Sequence, residues 1–166
     1  MTAETSNTPT GGPPAPGDRA QTMALQGVAN RLVRGLLRTP LISRGVGKRM
    51  ITLYVVGRKS GRRYNIPVVY TDDQGALLVA TPFGWGRNLR TGEPLQVRFK
   101  GRLRTADVEV IKDEPGVTEY YQVIVRDNAN FAKFNKIGFD SAGNPNLEDI
   151  HLSWVAGARV FRLTLR

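Results

Sequence analysis

The stretch Met50-Ile51-Thr52-Leu53-Tyr54-Val55-Val56-Gly57-Arg58-Lys59-Ser60-Gly61-Arg62-Arg63-Tyr64-Asn65-Ile66-Pro67-Val68-Val69-Tyr70 decides the fold. Residues 50–56 are dense in Ile, Leu, Tyr and Val, side chains that pack well on a pleated surface, and 64–70 form a second such run. Between them stand two glycines, four cationic side chains and a hydroxyl, so the spacing predicts a β-hairpin with a cationic tip. Pro67 has no N–H to give to a ladder, which puts the second strand at an edge, an end or a bulge.

Outward from this hairpin, Asp72-Asp73-Gln74-Gly75 reads as the next turn and 76–80 as a third strand. Residues 95–99 and 102–111 follow as strands around Lys100-Gly101, and 160–165 supplies the last. Short strands joined by tight turns predict a mainly β fold with flanking helices, an antiparallel sheet that closes on itself as a small barrel. Helical insertions are expected at 87–91 and 114–126. Upstream, residues 1–19 are rich in Thr, Pro and Gly and read as a disordered arm, with a single domain over 20–166. Within the segment 23–38, Leu25, Val28, Leu32 and Leu36 recur at helical spacing while Arg31, Arg34 and Arg38 take other faces. This amphipathic helix either covers an open face of the domain or lies at an anionic membrane surface.

At 166 residues and 40% hydrophobic composition, the chain suffices for one core-bearing domain. The absence of cysteine excludes a disulfide scaffold, thiolate metal sites and cysteine nucleophiles, and fits a reducing compartment. Neither a secretion signal nor an apolar run of the roughly 20 residues that span a bilayer is evident. A cytoplasmic protein is expected, peripheral at the inner face of the membrane if 23–38 binds lipid. The formal charge of +10 is unevenly placed: eleven Lys or Arg and no acid fall between Arg19 and Tyr70. A second basic set runs from Arg87 to Arg104, broken only by Glu93. Such a field attracts anionic partners without choosing among them.

Two constellations follow. In the cationic turn, Gly57 and Gly61 free the backbone while Arg58, Lys59, Arg62, Arg63 and Ser60 offer charge and a hydroxyl, which suits a phosphate or carboxylate. Neither the P-loop nor the dinucleotide glycine spacing is present. A ligand anion, a nucleic-acid or lipid phosphate, and a merely solvated turn all fit the pattern. The second constellation, Ala80-Thr81-Pro82-Phe83-Gly84-Trp85-Gly86-Arg87-Asn88, runs from a strand into a Gly-rich turn with two aromatics. Here Trp85 either walls a flat ligand or plugs the core, and Asn88 lies on its side of a helix. The lone His151 lacks companions for a zinc site, and no metal site is expected. With so few acids and bases, a redox cofactor that performs its own bond making is the better fit. Tyr120 and Tyr121 are the candidates for contacting a small-molecule substrate, against a packed aromatic patch. Few aromatics interleave with the arginines, so no specific nucleic acid is expected.

On Gly57-Arg58-Lys59-Ser60-Gly61, Pro67-Val68 and Trp85-Gly86-Arg87-Asn88-Leu89, in that order, the chain resembles the deazaflavin-dependent nitroreductase family of the split-barrel flavin and deazaflavin oxidoreductases. The resemblance spans roughly 50–110. It implies a split β-barrel related to pyridoxamine phosphate oxidase and other FMN-binding barrels, often homodimeric. It also implies coenzyme F420, a deazaflavin with a phospholactyl and polyglutamate tail, with FMN as the alternative. Arg58, Lys59, Ser60, Gly61, Arg62 and Arg63 would grip the tail, while Pro67, Val68, Ala80, Thr81, Trp85 and Asn88 would border the ring. Hydride would pass to an electron-poor quinone, enone or nitro compound. The other reading left open is a noncatalytic binder of a cofactor or anion.

Overall fold

The structure, a computed structural model, describes residues 49–166, which fall within the second of two units of the chain, Ile42–Arg166. The arm expected at 1–19 and the amphipathic segment at 23–38 lie outside the described residues. Strands β1 (Met50–Val56) and β2 (Arg63–Val69) make the expected hairpin, with Met50 opposite Val69 and Val56 opposite Arg63. Alternation along β1 buries Ile51, Leu53 and Val55 and turns Thr52 and Tyr54 outward. A single residue, Tyr70, separates β2 from β3 (Thr71–Asp73), which pairs with β4 (Ala76–Thr81). Strands β5 (Leu95–Phe99), β6 (Arg102–Ile111) and β7 (Arg159–Leu165) complete a sheet in the order β2-β1-β5-β6-β7-β4-β3.

Every pairing is antiparallel. The two edge strands are neighbours in the chain, so one bent segment, 63–73, pairs with β1 by its first half and with β4 by its second. The sheet therefore curls into a split barrel, as expected. Pro67 sits on the edge strand β2, where its missing N–H leaves no ladder bond unmade. At the bend, the Tyr70 N–H donates to the Arg49 carbonyl at 3.0 Å. Asp127 then accepts from both the Arg49 guanidinium and the Thr71 hydroxyl, fixing the corner to the helical side of the molecule.

Two expectations are corrected. Asp72 and Asp73 are strand, opposite Leu77 and Ala76, and the turn contracts to Gln74-Gly75. Both turn residues have positive φ (51° and 83°), the geometry whose twist suits a two-residue hairpin. The helix expected at 87–91 is instead a 3-10 turn over Gly84–Asn88, and the extended Leu89 ends it. Glycines at 84 and 86 disfavour a longer helix.

Inside the barrel, Leu53, Val97, Phe161 and Leu163 form the fully buried centre of one core. A second core lies where helices α1 (Glu114–Asp127), α2 (Ala129–Phe134) and α3 (Leu147–Val155) cover the outer face of β4 and β7. Helix α1 starts at Asp113, whose carboxylate accepts from the Gly116 N–H, with a proline in its first turn. Its buried stripe of Val117, Tyr121, Ile124 and Val125 meets Leu78 and Val160 of the sheet. Helix α3 is tied to α1 by His151 Nδ1, 2.5 Å from Glu114 Oε1, which gives the lone histidine a structural contact. The outer face of β1 and β5 is polar by contrast, carrying Thr52, Tyr54, Gln96 and Arg98.

Candidate functional site

The cationic turn is closed by its own backbone. The Gly57 N–H donates to the Arg62 carbonyl at 2.8 Å and the Gly61 N–H to the Gly57 carbonyl at 2.7 Å. Gly61 has φ +65°, a conformation that favours glycine, and a Cβ on Gly57 would meet Ser60 Oγ at 2.6 Å and displace that side chain. Arg58 then reaches across to the second constellation. Its N–H donates to Asn88 Oδ1 and its Nε to the Asn88 carbonyl, both at 3.1 Å. A third bond runs from Nη2 to Glu93 Oε2 at 2.6 Å. Asn88 in turn donates from Nδ2 to the Trp85 carbonyl at 2.9 Å, so one amide side chain joins the hairpin to the tryptophan turn.

Along this junction runs a cleft of about 470 Å³, within the size range of small-molecule sites. The hairpin contributes Tyr54, Val56, Gly57, Arg58, Gly61 and Arg63, the facing loop contributes Asn88, Arg90 and Glu93, and β5 contributes Gln96, among others. Three arginines against one carboxylate make the cleft electropositive. The amides of Gly57, Arg58, Gly61 and Arg62 are already bonded within the protein, so the lining presents its charge to the cleft through side chains.

Among the expected cofactor residues, Arg58, Gly61, Arg63 and Asn88 line this cleft. Lys59, Ser60 and Arg62 are exposed on the same turn, outside the lining, with Ser60 Oγ accepting from the Arg62 N–H. Pro67 and Val68 lie further along β2, and Val68 packs toward the barrel core. Ala80 packs on the helical-side core. Thr81 is buried, its hydroxyl oxygen accepting from the Phe83 N–H at 3.1 Å. Trp85 packs on Phe161 with ring centroids 5.8 Å apart. The adjacent Gly86 is required there, because a Cβ would meet the Phe161 ring at 2.9 Å. Tyr120 and Tyr121 sit on α1, and neither lines the cleft. Tyr120 is half-buried, whereas Tyr121 is fully enclosed with its ring edge-on to Phe131 and its hydroxyl without a partner among the described residues. Burial pushes the Tyr121 phenol well above its ordinary pKa.

Sequence reasoning passed over Tyr54, Arg90, Glu93 and Gln96. A signal existed for two of them, since Arg90 belongs to the second basic set and Glu93 is the acid that interrupts it. Among the described residues no group of His, Asp and Glu is arranged to hold a metal, and no helix is long and apolar enough to cross a membrane.

The family model described as F420H(2)-dependent quinone reductase matches residues 35–138, more than half of the chain. The chain belongs to this family. This F420H(2)-dependent quinone reductase family member is thus an oxidoreductase, and its cofactor is coenzyme F420. The match takes in both constellations and all of the cleft lining. A solved structure described as a domain-swapped dimer covers 90% of this chain and 99% of its own, at 11% identity and a TM-score of 0.45, a likeness too slight to bear on function. None of the curated proteins compared matches the chain.

Proposed function

We propose that this protein passes hydride from reduced coenzyme F420 to an electron-poor small molecule, a quinone in the first instance and an enone or nitro compound by the same chemistry. The observation that supports this most is the junction of Arg58 with Asn88, which joins the cationic turn to the tryptophan turn and leaves an electropositive cleft between them. The donor set suits the coenzyme's negatively charged tail: Arg63 and Arg90 line the cleft, and Lys59 and Arg62 stand exposed on the same turn as Arg58. When bound, the coenzyme supplies the hydride, and a proton from solvent completes reduction of the acceptor.

The chain's own residues bind, orient and exclude water. Trp85, wedged on Phe161, holds the 3-10 turn in place, so that Asn88 meets Arg58 at a fixed distance. Pro67 and Val68 act in this reading through β2, which carries Arg63 to the cleft, and Ala80 and Thr81 through β4, which leads into the tryptophan turn. Of the two tyrosines, half-buried Tyr120 is the one open to a ligand. A lipid-soluble acceptor also accords with peripheral membrane contact through 23–38, where Arg31, Arg34 and Arg38 would face headgroups. Cosedimentation with anionic vesicles tests that contact, and sedimentation equilibrium tests a homodimer.

The deciding experiment titrates purified protein with reduced and oxidised F420 and with FMN, then follows deazaflavin oxidation with a quinone, an enone and a nitroaromatic. Saturable deazaflavin binding with quinone turnover is expected. Absence of deazaflavin binding, or saturable binding of FMN instead, would overturn the reading.

A further inference from the structure

Arg58 is the first cation of the turn, yet in this structure two of its three guanidinium nitrogens already bond to the protein. Nε donates to the Asn88 carbonyl and Nη2 to Glu93, whose oxygen lies 2.6 Å away, while Nη1 makes no bond among the described residues. Glu93 is the sole acid among the residues that line the cleft, facing Arg58, Arg63 and Arg90. Its side chain is more exposed than that of its partner, 55% against 33%, so it approaches Arg58 from the solvent side, where a ligand's anion would also arrive. The backbone beneath it is anchored: the Gly92 N–H donates to the Val108 carbonyl at 3.0 Å, and Thr91 Oγ1 accepts from the Val110 N–H at 2.9 Å. Glu93 can therefore leave Arg58 by rotating its side chain, with no rearrangement of the loop.

We infer that Glu93 is an internal carboxylate that occupies Arg58 in the free protein and is displaced by the anionic tail of the ligand, which lowers affinity for that tail. This rests on the cofactor reading above and adds to it a residue that tunes binding. Exchanging one carboxylate for another anion on Arg58 gains little by itself. Net binding then comes from Arg63 and Arg90, which have no ion-pair partner among the described residues. Asn88 keeps Arg58 in place throughout, because its two bonds to that residue do not involve Glu93.

The test is calorimetric titration with pyrophosphate, and separately with reduced F420, of the wild type, Glu93→Gln, Arg58→Ala and the double variant. Glu109→Gln serves as a charge control away from the cleft. Glu93→Gln should bind both ligands about three- to fivefold more tightly, the scale of a partly exposed ion pair. In the Arg58→Ala background and in the control the change should stay below about twofold. An unchanged or weaker affinity in Glu93→Gln would overturn the exchange, as would an equal gain without Arg58. Tighter pyrophosphate binding without any deazaflavin binding would support the exchange and remove the cofactor assignment. Deazaflavin binding indifferent to Glu93 would do the reverse. No binding of either ligand by any variant would remove both.

Discussion

Strands β4 and β1 belong to one barrel and are equally apolar inside, but their outer faces differ. Strand β4 is sealed on both sides, with Leu77 and Val79 in the barrel core and Leu78 beneath α1. Strand β1 turns Thr52 and Tyr54 outward and runs directly into the cationic turn. The covered side gains stability from apolar burial. The open side holds polar groups whose partners are distant in sequence, such as Arg58 with Asn88 and Glu93. Stability and ligand binding are thus divided between two flanks of a single sheet, and substitutions should separate them.

The largest effect should come from the side chain that joins the barrel core to the tryptophan turn. Phe161 is fully buried in the barrel, carries Trp85 on its face, and limits position 86 to glycine. Phe161→Ala should cost about 3–5 kcal/mol in denaturant unfolding. It should also weaken cofactor binding by loosening the tryptophan turn. Loss of stability with undiminished affinity would break the link between that turn and the cleft. Next, Arg63→Ala with Arg90→Ala should lower deazaflavin affinity roughly ten- to a hundredfold, the scale of charge-assisted bonds. Turnover at saturation should persist and the melting temperature should barely move, since both groups are exposed. A fall in saturated turnover as large as the fall in affinity would place these arginines at the reacting atoms.

The same division explains what could be read in the sequence. The hairpin 50–70 and helix 114–126 were legible because period-2 and period-3.6 burial leave a pattern in neighbouring residues, and both appear within one residue of expectation. Strand β3 was not, because Asp72 and Asp73 look like turn residues and become strand only through their partners on β4. Helix α3 went unread although Asn146 caps it, accepting from the Glu148 and Asp149 N–H groups, and only Ile150 is fully buried. Half of the site was visible as charge and glycine. Its other half depends on contacts such as Arg58 to Asn88, thirty residues apart, which no local pattern encodes.

A smaller effect tests the covered flank. Tyr121 carries a buried hydroxyl with no partner among the described residues, a group that costs roughly 1–3 kcal/mol to leave unmade. Tyr121→Phe keeps the ring against Phe131 and removes the oxygen, so stability should rise by about 1 kcal/mol or hold level. Turnover should be unchanged. A marked fall in turnover with intact folding would instead give the hydroxyl a part in the reaction and move the catalytic centre toward α1.

The smallest effect is acid titration of the loop before α3. Asp140 accepts from the N–H groups of Asn144 and Ala142 and from the Asn144 side chain. The Asn144 bonds, backbone first, hold its carboxyl below the usual carboxylate range. A carboxylate with a depressed folded pKa contributes stability above its unfolded value of about 3.9 and loses it as pH falls through the folded value. Asp140→Asn should therefore lower the melting temperature slightly at neutral pH. The difference should shrink once pH drops below about 4, where the wild-type carboxylate begins to protonate in the unfolded chain. The loop lies beside α3, remote in sequence from the cationic turn, so deazaflavin affinity should not follow this titration. If it did, the two flanks would be coupled through the sheet, and the separation drawn between β4 and β1 would fail.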